Sequence, residues 1–152
     1  MSAAKALGVP LLADATIKQL EASRAKLTPE AYRRARHIIE EITRVAKTVK
    51  ALKSGDLGAV GKLLTDSHQS SRTLFENSTA ELDFLVDTLV ETKHVHGARL
   101  TGGCFGGAVM AVTSCEFGSA QAKRVSAAYT KQFGAAPDVL HAQTGDGAEI
   151  VS

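Results

Sequence analysis

Gly97-Ala98-Arg99-Leu100-Thr101-Gly102-Gly103-Cys104-Phe105-Gly106-Gly107 runs directly into the apolar stretch Ala108-Val109-Met110-Ala111-Val112, and the reading of that junction decides the fold. Four of the six residues after Thr101 are glycine. Glycine reaches positive φ without a Cβ penalty and lets a backbone approach another backbone or a ligand, so this density describes a turn built from main chain. Consecutive N–H groups in such a turn can converge on an anion. Rossmann and Walker phosphate loops both open a helix and hold phosphate at its N-terminus. Here the glycines open a strand, and Gly103 and Gly106 give G-x-x-G with no Gly-Lys-Ser/Thr after it. Two readings follow: a tight hairpin turn, or a nest facing an anion or substrate.

Outward from the turn, strands are expected at roughly 96 to 101 and 107 to 114. The segments before them read as helices. Thr16 or Asp14 caps a short helix with Ile17, Leu20 and Leu27 on one face, interrupted by Arg24. Thr28-Pro29-Glu30 is a stronger start: Thr accepts from free N–H groups, Pro suits the first helical position, and Glu complements the dipole. That helix runs to about Lys53, with Gly55 ending it. Its seam of Ile38, Ile42, Val45, Val49 and Leu52, spaced 4-3-4-3, should lie against a neighbour.

Asp56 caps the next helix, in which Leu57, Val60, Leu64 and His68 share a face. Ser78-Thr79-Ala80-Glu81 reads as a capping box, followed by Leu82, Leu85, Val86 and Leu89 at helical spacing to near Thr92. Beyond the hairpin, Ser119 is expected to cap a helix with Ala122, Val125 and Tyr129 inward and Gly134 closing it. Val139 to Gln143 reads as a last strand, with Gly145-Asp146-Gly147 turning into Ala148 to Val151. Helices first, then strand-loop-strand-helix-strand, is an α+β order: helices on one face of a small, mainly antiparallel sheet.

Bulk properties agree with one domain over residues 1–152. Hydrophobic residues are 44% and charged residues 22%, as in ordinary globular proteins. The net charge of +2 is too small to point to nucleic acid, and 5% aromatics without Trp offer no stacking platform for bases. No apolar run has the length of a membrane span, and the N-terminus lacks the apolar core of a signal peptide, so a cytoplasmic location and no membrane partner are expected. Cys104 and Cys115 form neither metal spacing nor a disulfide framework, and a reduced pair of buried or half-buried thiols is expected.

Other chemistry-bearing residues read as structural. Ser67 and His68 are adjacent on a helix and point about 100° apart, which suits no nucleophile–base pair. His68 reads as a core histidine. His94 and His96 would share one side of a strand, but no third ligand is near. Arg33, Arg34, Arg36 and His37 form a basic turn, paired Arg36 to Glu40 and His37 to Glu41 at i, i+4. Asp83 and Asp87 read as a solvated acidic face. No catalytic residue and no metal ligand is assigned.

Gly97 to Gly107 closely resembles the third signature motif of the galactokinase branch of the GHMP small-molecule kinases, usually Gly-Ala/Ser-Arg-Met/Leu-Thr-Gly-Gly-Gly-Phe-Gly-Gly. Arg33-Arg34-Ala35-Arg36-His37, Glu41, Arg44-Val45, Gly55-Asp56, Ser67-His68 and Ser78 through Glu81-Leu82-Asp83 resemble that family in the same order. So do Ala4 to Val9 and Leu12 to Thr16, the latter two as the lead into the family's C-terminal half. Cys104 departs from the pattern, standing where the family has a third consecutive glycine.

The resemblance implies a ferredoxin-like GHMP C-terminal domain. It also implies transfer of the ATP γ-phosphoryl group to the anomeric hydroxyl of galactose or a related sugar, with Mg²⁺. The turn Gly102, Gly103, Cys104, Phe105, Gly106 and Gly107 would lean over the nucleotide phosphates and help shape the substrate cleft. The family's N-terminal motifs, Gly-Glu-His-Thr-Asp-Tyr for the sugar and Gly-x-Gly-Leu-Ser-Ser-Ser for ATP, are absent from this chain. ATP and Mg²⁺ are therefore not expected to bind it tightly, nor is it expected to be active alone. It reads as a fragment or shortened product, as a half-kinase that docks on a separate N-terminal partner, or as a non-catalytic binding or protein-interaction module. Self-association through an exposed apolar face is expected.

Overall fold

In a computed structural model, which describes residues 2–102 and 107–145, the helices precede a hairpin and one helix follows it. The order is α1 (Ala3–Leu7), a 3₁₀ turn (Leu12–Asp14), α2 (Ile17–Ala22), a second 3₁₀ turn (Arg24–Lys26), α3 (Pro29–Lys53), α4 (Leu57–Ser70) and α5 (Ala80–Val90). The strands β1 (Val95–Thr101) and β2 (Ala108–Thr113) and then α6 (Ser119–Phe133) complete it. This is an α+β arrangement with helices on a two-stranded antiparallel sheet. Among the described residues no helix is long and apolar enough to cross a membrane.

Most helix boundaries follow their caps. Thr16 and Gln19 form a reciprocal capping box on α2. Thr28 accepts from Ala31 N–H with Pro29 at the first helical position, and Asp56 accepts from Ala59 N–H at 2.9 Å. Two caps fall one residue from their expected place. Thr79, not Ser78, caps α5, because the Ser78 hydroxyl donates to Asp83 at 2.6 Å and is unavailable to the backbone. Gly118, not Ser119, is the N-cap of α6, and Gln121 accepts from its N–H at 3.1 Å. Gly134 closes α6 at φ 84°.

Larger departures concern α3 and the C-terminal segment. The face of α3 that enters the core is Tyr32, Ala35 and Ile39, packed on Ala6, Leu7 and Leu20 from α1 and α2. Ile42, Val45, Val49 and Leu52 lie exposed instead of against a neighbour. The stripe is real, but the elements of this chain cover the sides of α3 that flank it. Val139 to Gln143 forms no strand and Leu140 is exposed. Asp146 and Gly147 of the expected turn, and Ala148 to Val151 after it, lie outside the described residues.

The second core lies where α4 and α5 cover β1, from Val60, Leu82, Val86, Ala98 and Leu100. An aromatic group, Phe84 against Phe133 at 5.5 Å and Phe133 against Tyr129 at 4.8 Å, joins α5 to α6. The closest approach in the fold is between backbones: a Cβ on Gly97 would fall on the Gly61 carbonyl, and a Cβ on Gly61 on the His96 carbonyl. Both glycines are buried. Gly97→Ala or Gly61→Ala must therefore shift α4 off β1, and each is expected to cost about 3 kcal/mol or more. Urea unfolding measures it; a loss below about 1 kcal/mol would show that the contact yields easily.

Candidate functional site

The glycine turn joins the ends of β1 and β2, where Thr101 pairs with Ala108. Gly102 opens it at φ 75°, a conformation that favours glycine, and Gly107 is exposed at its far side. Gly103, Cys104, Phe105 and Gly106 lie outside the described residues. Cys115 is a free thiol but an exposed one, not buried or half-buried as expected.

How β1 reaches this turn is set by α4. In an antiparallel pair alternate N–H groups face away from the partner strand, and here two of them are taken by side chains. Ala98 N–H donates to Thr65 Oγ1 at 3.3 Å, and Leu100 N–H donates to His68 Nδ1 at 3.3 Å. Accepting at Nδ1 places the neutral imidazole proton on Nε2, which lies 3.2 Å from Asp83 Oδ1. Asp83 is held in turn by Ser78 and by Arg72 at 3.0 Å, and Arg72 reaches Asp87 at 3.1 Å. A chain of polar contacts thus runs from the surface of α5 through a fully buried imidazole to the peptide two residues before Gly102.

Ser67 and His68 serve different neighbours, as their angular separation requires. Ser67 donates to Glu41 at 2.6 Å, and Glu41 is paired with Arg44. His37 does not pair with Glu41: it is buried, with Nδ1 2.8 Å from Ser70 Oγ and its ring 4.8 Å from Phe75. Arg36 pairs with Glu40 at 2.7 Å as expected, and Arg33 reaches Glu76 at 3.1 Å. Asp83 and Asp87 are not merely solvated, since they share Arg72. His94 stands before β1 at φ 73° with Nδ1 3.0 Å from Glu116, so it does not share a strand face with His96. Among the described residues no group of three or more His, Cys, Asp or Glu could hold a metal ion.

Beside the turn, α5, β2, α6 and residues 136–142 enclose an open groove of about 1070 Å³ that reaches Gly107. Its lining is mixed: Leu85, Leu89, Val109 and Val125 are apolar, and Thr79, Glu81, Asp138 and His141 are polar or charged. The polar tie through Thr65, His68 and Asp83 was hidden from sequence reasoning. His68 on an apolar helical face signalled burial, but nothing local pointed to a peptide 32 residues away.

Burial pushes the imidazoles of His68 and His37 below their ordinary value of 6.5. For His68, Asp83 and Asp87 oppose that shift and Arg72 adds to it; for His37, Arg44 and Arg99 add to it. The unfolded chain takes up these protons first as pH falls, so the stabilising contribution is complete above about 6.5 and is lost progressively below it. Unfolding free energy should drop between about pH 7.5 and about pH 5.5, and less so in the double variant His37→Gln/His68→Gln. Urea midpoints at the two pH values test this; equal drops in both proteins would contradict it.

The family model "GHMP kinases C terminal" matches residues 48–135, more than half of the chain. Galactokinase of Bos taurus is 39% identical over 148 residues, covering 97% of this chain and 37% of that protein. Galactokinase of Pasteurella multocida is 37% identical over 152 residues, 97% of this chain and 40% of that protein. The chain thus spans about two-fifths of the length of these relatives. The crystal structure of Lactococcus lactis galactokinase complexed with galactose superposes with a TM-score of 0.84 at 30% identity, over 89% of this chain and 36% of that one. With α4 docked on the strand that leads to the glycine-rich sequence, and a family match across α4, α5, the hairpin and α6, the chain belongs to the GHMP kinases, as their C-terminal domain and galactokinase-like.

Proposed function

We propose that residues 1–152 form one galactokinase-like C-terminal domain whose glycine turn, Gly102 to Gly107, completes the active cleft of a cytoplasmic sugar kinase. The reaction of the complete enzyme is transfer of the ATP γ-phosphoryl group to galactose, giving galactose 1-phosphate and ADP. The observation that carries this reading is the likeness to galactokinases along 97% of the chain, together with the antiparallel pairing of β1 and β2, whose ends the glycine-rich sequence joins.

Phosphoryl transfer needs a phosphate cradle, a metal ligand and a group that orients the attacking hydroxyl. The turn can supply part of the first. Its entry at Gly102 has φ 75°, a conformation that favours glycine. Among the described residues no cluster of three or more His, Cys, Asp or Glu could hold a metal ion, and no step through Mg²⁺ is assigned to this chain. The orienting group would likewise come from an N-terminal kinase half. Alone, the domain is proposed to be inactive and to self-associate through apolar surface left uncovered. A non-catalytic binding or interaction module is the second reading, favoured by Cys104 in place of the family's glycine.

Isothermal titration of the purified chain with Mg-ATP and with galactose, followed by a coupled assay of ADP release, tests the proposal. The expected result is no turnover and no tight binding of either ligand. Turnover by the chain alone would overturn the division of labour. Addition of a separately produced N-terminal galactokinase half should restore turnover; failure with a half shown to bind this chain would favour the non-catalytic module.

A further inference from the structure

The last backbone donor on the outer edge of β1 before Gly102 belongs to Leu100. Ala98 and Leu100 turn their N–H groups toward α4, so those of Arg99 and Thr101 face β2, opposite Met110 and Ala108. Thr101 and Ala108 form the final pair of the hairpin, and Gly102 leaves the strand at φ 75°. Glycines have no side chain to anchor them and the freest backbone of any residue, so the direction of this exit is set by what holds the strand end. On one side that is β2. On the other it is the His68 ring, which has no exposed surface.

We propose that His68 and Asp83 are positioning residues for the entry of the glycine-rich sequence: Asp83 fixes the ring of His68, and the ring fixes Leu100 and through it Gly102. A donor at a strand edge needs only an acceptor, and Thr65 shows that a hydroxyl suffices for Ala98. At Leu100 the acceptor is a ring whose second nitrogen lies 3.2 Å from a carboxylate oxygen. A hydroxyl rotates to follow its donor, whereas an imidazole placed between a peptide and a carboxylate keeps one orientation and one tautomer. Asp83 is itself held, by the Ser78 hydroxyl at 2.6 Å and by Arg72 Nε at 3.0 Å. Restraints from α4, from Arg72 beyond its end and from α5 thus converge on one peptide of β1.

The catalytic meaning of this tie rests on the reading of the glycine-rich sequence as part of a nucleotide-facing cleft. The placement of Gly102 does not. His68 touches no substrate and acts only through Leu100, so its loss should weaken the hold on Mg-ATP and spare galactose. Two substitutions separate the contacts of the ring. In His68→Asn the side-chain oxygen stands where Nδ1 does and can accept from Leu100, while nothing reaches Asp83. His68→Leu keeps a similar volume and offers no acceptor.

Amide NMR of the whole chain tests the placement. The wild-type ring should be the Nε2–H tautomer, read from its nitrogen shifts. His68→Leu should speed hydrogen exchange at Leu100 at least about tenfold and shift the Gly102 amide, while Leu20 and Ile39 keep wild-type protection and show the chain folded. His68→Asn should return both most of the way, and Thr65→Val should loosen Ala98 without moving Gly102. An Nδ1–H ring, or a Gly102 amide that His68→Leu leaves unmoved or that Thr65→Val moves as far, overturns the proposal. If His68→Leu does not fold, Asp83→Ala decides: it should shift Gly102, and an unmoved amide overturns the proposal. Turnover with an N-terminal galactokinase half shown to bind this chain tests the catalytic meaning. His68→Leu should raise the KM for Mg-ATP at least about tenfold and that for galactose less than about twofold, with His68→Asn recovering most of the loss. A fall in kcat alone, or equal rises in both KM values, overturns the positioning role. No turnover with the wild-type chain overturns the kinase reading instead, and the NMR comparison then decides the role of His68 by itself.

Discussion

Everything at the functional end of this chain depends on how closely α4 lies against β1. Helices ordinarily pack on the face of a sheet, through side chains, at about 10 Å. Here the approach is tighter and comes at the strand's outer edge. Gly61 and Gly97 remove the side chains that would keep the backbones apart, and Thr65 and His68, further along the same helical face, take the N–H groups of Ala98 and Leu100. An unpaired strand edge exposes donors that must find partners. By answering them with a hydroxyl and an imidazole, α4 stands along β1 where a neighbouring strand would otherwise pair. The end of β1 that leads into the glycine-rich sequence is set by that docking.

The buried imidazole illustrates why the arrangement holds. A histidine without exposure would be costly if either ring nitrogen were idle. One nitrogen accepts from a peptide, and the other lies against a carboxylate that Ser78 and Arg72 already orient. Asp83 is the hinge of this chain of contacts, since it touches both the buried ring and the solvated Arg72–Asp87 pair. Losing it would leave the buried ring nitrogen without that carboxylate and Arg72 with Asp87 alone.

Much of this was legible in the residues. Thr28-Pro29-Glu30, Asp56 and Gly134 mark boundaries by local chemistry, and the structure places them within a residue of expectation. The hairpin followed from glycine density between two short apolar runs. What could not be read was anything requiring two distant segments at once. Ser78 misled as a cap because its true acceptor, Asp83, is a side chain whose own role is set by His68 and Arg72. The α3 stripe showed that a neighbour is wanted, but not that the other described residues leave it exposed. Val139 to Gln143 has strand composition, yet a strand exists only where an edge pairs with it, and Leu140 is left facing solvent. At the candidate site, the glycines announced main-chain chemistry, and the supports beneath them stayed silent.

The tie between α4 and β1 also bears on the order in which the molecule assembles. The contacts of α1, α2 and the first half of α3 join segments close in sequence, and helices form in well under a millisecond. The Thr65–Ala98 and His68–Leu100 bonds close loops of 33 and 32 residues. They can form only once α5 has been laid down between them, and the entropy of that closure is lost before any bond rewards it. Folding should therefore proceed from a helical N-terminal unit to a late docking of the hairpin. The glycine turn is then among the last parts of the chain to acquire its native surroundings.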